Sequence, residues 1–192
     1  MVSATHANRR LTYDDFLLFP EDERRRHEII DGVHYVTPAP NVHHQALVGR
    51  LHIAIGNYLA SHPGAGLVFL SPIDVVLTIH DVVEPDLVFV AGDQKDILTE
   101  ANIQGAPALV VEVVSPSTRR RDERIKKELF DRAGVREYWM VDPDRNQLIV
   151  HLREADGFHA CTPLSAVDRA VLTTPLLPGF SLSLLELFQP SA

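Results

Sequence analysis

The chain has 192 residues, 45% hydrophobic and 23% charged, the make-up of a globular protein long enough to bury a good core. Its formal net charge of −8 argues against non-specific nucleic-acid binding through a basic surface. No apolar run approaches the length of a membrane span, Met1–Arg10 has no signal-peptide core, and Cys161 is the only cysteine; a cytoplasmic chain without membrane contact or internal disulfide is expected.

Residues 1–10 read as a disordered lead. Thr12 with Asp15 three positions on predicts a capping box that opens a short helix, ended by Phe19-Pro20. The charge run Glu21-Asp22-Glu23-Arg24-Arg25-Arg26 reads as solvated surface. Asp31-Gly32 inside an apolar stretch predicts a hairpin, with Glu28 near the start of its first strand. Leu47, Leu51, Ala54, Ile55, Tyr58 and Leu59 fall on one face of a helix over 43–60. His43 and His44 are neighbours, so on a helix they point about 100° apart and do not serve one site. His44 and His52 therefore read as surface or interface residues.

Strands are expected over 66–70 and 73–79, with His80-Asp81 as a turn. Two further strands carry the chemistry. Pro85 to Val90 is rich in β-branched and aromatic residues, and Ala108 to Val114 is apolar on both faces, as in a central strand covered on both sides. Each contains one carboxylate, Asp86 and Glu112. A lone buried charge is costly, so each must be paired, protonated or bound to a metal. A loop and short helix over 96–104 would join the two strands as antiparallel neighbours and bring both acids to one divalent ion, with Mg²⁺ or Mn²⁺ suited to such hard oxygen ligands. The plain alternative is two ion pairs, an arginine or lysine covering each acid.

Ser115-Pro116-Ser117-Thr118 is a loop and helix-cap signal. A helix from about Arg119 to Ala133 follows, with Ile125, Leu129 and Phe130 as its core stripe and Gly134 as its stop. Its first turns, Arg119-Arg120-Arg121-Asp122-Glu123-Arg124-Ile125-Lys126-Lys127, hold six basic residues and two acidic ones, a patch that could take phosphate or simply be a solvated face. Lys126 lies one helical turn after Asp122, on the same side. A strand over 137–142, a hairpin about Asp156-Gly157, and an apolar tail over 176–188 complete the chain. The tail reads as core cover or interface, with Ser183 and Glu186 forming a capping-box pattern.

These segments together resemble the Uma2 family of restriction-endonuclease-like proteins, in the PD-(D/E)XK nuclease superfamily. The marks are Glu28-Ile29-Ile30-Asp31-Gly32, Pro85-Asp86-Leu87, Val111-Glu112-Val113-Val114-Ser115-Pro116-Ser117-Thr118, Asp122…Lys126 and Gly134-Val135-Arg136-Glu137-Tyr138-Trp139 with Val141-Asp142-Pro143. The likeness runs from about Leu11 to Phe188. It implies an α/β (α+β) fold with a restriction-endonuclease-like core, a mixed central β-sheet flanked by helices, as one domain over 11–192. Asp86 and Glu112 match the two acidic motif positions. Val114 stands where the superfamily's lysine would fall, and Lys126 on the next helix takes that place, with Lys127 as the fallback. Glu28 matches an additional N-terminal acid.

The resemblance implies a metal-dependent endonuclease that hydrolyses phosphodiester bonds of DNA. Catalytic roles are expected for Glu28, Asp86, Glu112 and Lys126. Asp86, Glu112, the Val113 backbone carbonyl and Glu28 would hold Mg²⁺ or Mn²⁺. Arg119, Arg120, Arg121, Arg124 and Lys127 would contact nucleic acid, and a homodimer would reach both strands. The other class open to the sequence is a non-catalytic nucleic-acid-binding or interaction module on a nuclease fold.

Overall fold

The computed structural model describes residues 9–20, 25–116 and 118–189. The expected disordered lead, most of the 21–26 charge run and Ser117 lie wholly or partly outside these residues.

In chain order the structure begins with the turn α1 (Tyr13–Phe16), the hairpin β1 (Arg25–Ile30) and β2 (Val33–Pro38), and the long helix α2 (Val42–Ser61). The strands β3 (Gly66–Leu70), β4 (Val75–Thr78), β5 (Asp81–Val83) and β6 (Leu87–Ala91) follow, then β7 (Ile103–Gln104) and β8 (Leu109–Val113). After these come α3 (Lys127–Ala133), β9 (Glu137–Asp142), β10 (Gln147–Glu154), β11 (Gly157–Ala160) and β12 (Leu164–Ser165). The chain closes with β13 (Val171–Leu172), β14 (Leu182–Ser183) and α4 (Leu184–Phe188).

A seven-stranded sheet runs β11-β10-β9-β8-β6-β3, with β12 added beside β10. A five-stranded sheet runs β2-β1-β5-β4-β7, and β13 pairs with β14. Within the larger sheet β8 and β9 are parallel while its other pairs are antiparallel. A parallel pair needs a crossover, and the helical stretch ending in α3 supplies it. Every residue of β8 and β9 is buried, as the two-sided apolar pattern requires.

Strand alternation separates two cores. Leu109, Val111 and Val113 of β8 join Leu87 and Phe89 of β6, packed with Leu47, Leu51 and Ile55 of α2. Val110 and Val114 join Val88 and Val90 on the opposite face, packed with Leu129 and Phe130 of α3 and with Ile30, Val75 and Val83 of the smaller sheet. Glu112 shares the parity of Val110 and Val114. It therefore points to the face where α3 and the smaller sheet meet.

Several local expectations hold. Thr12 and Asp15 form the capping box. Asp31 and Gly32 both have positive φ, 53° and 74°, in the two-residue turn between Ile30 and Val33. Gly32 also lies so close to Arg10 that a Cβ would overlap it. In the α2 stripe Leu47, Leu51 and Ile55 are buried and Ala54, Tyr58 and Leu59 partly so, with Asn41 as the N-cap. Gly134 ends α3 with φ 90°.

Others are corrected. Asp81 opens β5 instead of closing a turn, and this three-residue strand lies between β1 and β4. The link from β6 to β8 holds a 3₁₀ turn, Gly92–Ile97, and then β7, where a helix over 96–104 was expected. Ser183 stands at the N-cap position of α4 and also ends β14 opposite Val171, but its side chain makes no cap hydrogen bond. In the tail, Leu177, Phe180, Leu184 and Leu187 are buried in the α2-side core, so the tail covers the core.

Two predictions follow from this packing. Leu51→Ala empties a fully buried site between α2 and the sheet; urea melts should show a loss of about 2–5 kcal/mol. His151 stacks on Tyr138 at 5.7 Å, and burial, with Lys127 nearby, pulls its imidazole down to about 4. The folded chain thus binds this proton more weakly than the unfolded chain. Its contribution to stability is complete above about pH 6.5 and declines as pH falls towards 4. A His151→Phe variant, melted across that window, should show a flatter pH profile than wild type.

Candidate active site

One position beyond the paired Leu87 and Val111, Asp86 stands opposite Glu112. Like charges facing each other across an antiparallel pair repel, so this placement needs compensation. Asp86 is 2% exposed and Glu112 is 4% exposed. On β1, Arg26 and Glu28 are two residues apart and face the same side. Arg26 Nη1 donates to Asp86 Oδ1 at 2.5 Å, and the Val113 backbone N–H donates to Asp86 Oδ2 at 2.8 Å. Glu28, 1% exposed, accepts the Glu84 backbone N–H at 3.2 Å.

The fourth element is the crossover helix. Its opening is capped by Ser115 and Thr118, whose hydroxyls lie 3.0 Å apart. It then widens into a π-helical turn, Arg121–Lys126, before α3. Turns of this kind are frequent at functional sites. Here the turn carries both Asp122 and Lys126 into the interior, 2% and 3% exposed. Lys126 Nζ lies 2.6 Å from Glu112 Oε1 and 2.7 Å from Glu28 Oε1. The lysine thus joins β1 to β8 through one ammonium.

The electrostatics follow from crowding acids in a space with little water. Burial pushes the Glu112 carboxyl up to about 8; Lys126 pulls against this, while Asp86, Asp122 and Glu28 add to it. Burial also disfavours the Lys126 ammonium, but Glu112, Glu28 and Asp122 outweigh it and raise its pKa. The Glu112 shift is chiefly its burial, and the Lys126 shift is the pull of the carboxylates around it: Lys126 stays charged, and the cluster holds a proton tightly. Asp86 moves the other way. Burial would raise it, yet the His44 and Arg26 contacts hold it at about 2. Asp122 is raised by burial against the pull of Lys126 and Thr118. Glu84 at the rim is pushed up to about 7, by burial first and then by Asp74 and Glu28.

All four residues expected to be catalytic, Glu28, Asp86, Glu112 and Lys126, line one cavity of about 380 Å³. Val113 lines it too. The basic patch divides. Arg120 and Arg124 are exposed. Arg119 instead grips Asp142 at 2.6 and 3.0 Å. Arg121 turns into the cavity, donating to Thr37 Oγ1 at 2.5 Å and lying 3.8 Å from Glu28 Oε2. Lys127 is half-buried.

Sequence reasoning missed four members. Arg26, read as part of a solvated charge run, instead lines the cavity and pairs with Asp86, because β1 carries it to the same face as Glu28. His44 is not a surface residue: its Nε2 lies 3.0 Å from Asp86 Oδ2, and its side chain is 12% exposed. His43 lines the same cavity, so adjacency on the helix did not keep the two apart. Asn41, His43 and His44, all at the start of α2, line the cavity together. Asp122 was noted only as a companion of Lys126, and its spacing was the signal that could have placed it inside.

The donor chemistry fits a hard divalent cation. Glu28, Asp86, Glu112 and Asp122 converge with few cations between them. Glu28 Oε2, Asp122 Oδ1 and His44 Nδ1 are buried without a hydrogen-bond partner among the described residues. Elsewhere, Glu154, Asp156 and His159 also lie close enough together to ligate an ion, but all three are exposed and His159 already contacts Asp156 at 2.6 Å.

A mixed sheet with one parallel pair at its centre, crossed over by a helix that returns a lysine to the strand-borne acids, defines a restriction-endonuclease-like fold. The chain belongs to the Uma2 family, whose model, described as "Putative restriction endonuclease", matches residues 13–185. The crystal structure of a protein from Anabaena variabilis, described as a putative nuclease belonging to DUF820, has the same fold. It matches with a TM-score of 0.77 at 21% identity, covering 93% of this chain and 97% of that one. No curated protein matches the chain. No described helix is long and apolar enough to cross a membrane.

Lys126→Met leaves Glu28 and Glu112 without their shared cation. Urea melts should show a loss of about 3–5 kcal/mol. Added Mn²⁺ should restore more stability to this variant than it adds to wild type, because it replaces the missing positive charge. A loss below about 1 kcal/mol would mean that the lysine does not neutralise the cluster.

Proposed function

We propose that this protein is a metal-dependent endonuclease hydrolysing phosphodiester bonds of DNA. The observation that carries the reading is the joining of Glu112 and Glu28 through Lys126, at 2.6 and 2.7 Å, beside Asp86 in one cavity. Asp86, Glu112 and the Val113 carbonyl, with Glu28 as a further donor, would hold Mg²⁺ or Mn²⁺. Such an ion supplies Lewis-acid polarisation of a phosphoryl oxygen and acidifies a bound water.

The protein's own groups supply the rest. Lys126, kept charged by its acidic neighbours, offers N–H donors to the attacking water and offsets charge that builds on the phosphate. Arg26 fixes the Asp86 carboxylate, so that its oxygens keep one orientation. Arg121 lies at the cavity wall, placed to meet a phosphate oxygen. Arg120 and Arg124, with Lys127, form the outer surface against which the DNA backbone would run, while Arg119 holds the helix start against Asp142. Two copies of the chain would cut both strands.

The second reading is a non-catalytic nucleic-acid-binding module. It is favoured by the fact that Lys126 and Arg26 already pair with Glu28, Glu112 and Asp86, and by the net charge of −8. One assay separates the two. Supercoiled plasmid is incubated with wild type, Asp86→Ala and Glu112→Ala in Mg²⁺ or Mn²⁺, with and without chelator. The nuclease reading expects nicking that chelator abolishes and that each substitution lowers by about a thousandfold. Full activity in either folded variant would sink the assignment, and plasmid binding without nicking by wild type would favour the module.

A further inference from the structure

A second cavity, of about 470 Å³, adjoins the carboxylate cavity. Arg26 and Glu84 line both, so the two share a wall. The outer wall of the second cavity is aromatic. Phe16 and Phe19 line it, with ring centroids 5.7 Å apart in an edge-on arrangement, and Phe19 stacks on His34 at 4.2 Å. These rings are held in place. Leu11 N–H donates to Gly32 O at 2.9 Å and Tyr13 N–H to Ile79 O at 2.8 Å, docking α1 on the smaller sheet. The Thr12–Asp15 capping box then fixes the turn. Asp74 also lines the cavity; it is half-buried, and no described residue hydrogen-bonds its carboxylate.

We propose that this cavity receives an unpaired guanine of the strand whose phosphate occupies the carboxylate cavity, an assignment that rests on the nuclease reading. Three observations combine. The volume suits a small planar ligand. Aromatic walls beside a phosphate site are the usual platform for a base taken out of its stack. A carboxylate that lacks a donor matches the Watson–Crick edge of guanine, which presents two neighbouring N–H donors. Adenine and cytosine present one amino group beside an acceptor, which a carboxylate repels. Thymine presents one N–H between two carbonyls. The ligand is thus single-stranded or locally unpaired, and Asp74 selects the base. The shared wall at Arg26 and Glu84 places the nucleotide's sugar between base pocket and phosphate site.

The test reads binding by fluorescence anisotropy in chelator, so that it does not depend on cleavage. The probes are short single-stranded oligothymidines carrying one central guanine, adenine, cytosine, inosine or thymine. Wild type should prefer guanine over thymine by about tenfold. Inosine, which lacks the amino group, should fall most of the way to thymine. Asp74→Asn should bring guanine and thymine within about twofold, and Phe19→Ala should weaken every probe about tenfold. Thermal melting checks that both variants are folded, and the inosine comparison on wild type stands even if one is not. The same guanine within a duplex should confer no preference.

Equal binding of guanine and thymine probes by wild type, or a guanine preference that survives in folded Asp74→Asn, would overturn the assignment. Displacement of the probe by micromolar guanosine monophosphate would overturn it too, giving the cavity to a free nucleotide. A chain that fails to nick plasmid but prefers guanine keeps the base pocket and loses only the catalytic reading. A chain that nicks plasmid but binds all probes alike keeps the nuclease and loses the pocket.

Discussion

The rest of the architecture depends on the charge balance around Lys126. Glu28, Asp86, Glu112 and Asp122 are all nearly inaccessible to solvent. Four carboxylates in such a space would repel one another and lose their hydration. One ammonium set between Glu28 and Glu112, and one guanidinium on Asp86, make the arrangement tenable. A buried ion pair adds little net stability when compared with an apolar replacement. The cluster is therefore poorly explained as a stabilising device, and its position at the mouth of a cavity suits a site where charge must be handled.

The scaffold achieves this through periodicity. In β8 the odd positions fill the core under α2, and the even positions face α3 and the smaller sheet. That division gives Glu112 its direction. The same parity places Asp86 beside it from β6, and Arg26 and Glu28 from β1. The crossover helix required by the parallel β8–β9 pair must pass over this face. It brings Lys126 to the acids as a result of topology, and the π-helical turn lets Asp122 point inward as well.

Much of this was legible in the sequence, because the informative signals are local. An apolar run on both faces marked β8 as central, and an acid inside it marked a site. The Asp31-Gly32 turn, the α2 stripe and the Gly134 stop each rest on one or two residues with strong conformational preferences. The same directness made Asp86 and Glu112 visible as candidates, while Glu28 and the role of Lys126 came from the resemblance to the family. What stayed hidden depends on tertiary placement. β5 and β7 are two or three residues long and become strands only through their neighbours. His44 looked superficial because its helix start is exposed in isolation; its contact with Asp86, far along the chain, is tertiary and leaves no local signal. Ser183 has the composition of a cap and stands at the cap position, yet its side chain makes no cap hydrogen bond. The widened turn at Arg121–Lys126 has no composition signal, since an ordinary helix accepts the same residues.

The order in which the site's parts occur along the chain has a consequence for biosynthesis. Glu28, Asp86 and Glu112 leave the ribosome before Lys126, and β9, which completes the parallel pair, follows later still. Until those residues emerge, the nascent acids have hydrated alternatives and no reason to converge, and β8 lacks the partner that buries it. The N-terminal two thirds of the chain thus holds the acids without the lysine that lies between Glu28 and Glu112. A chain truncated before the crossover would carry the acids but neither the lysine between Glu28 and Glu112 nor the parallel partner of β8.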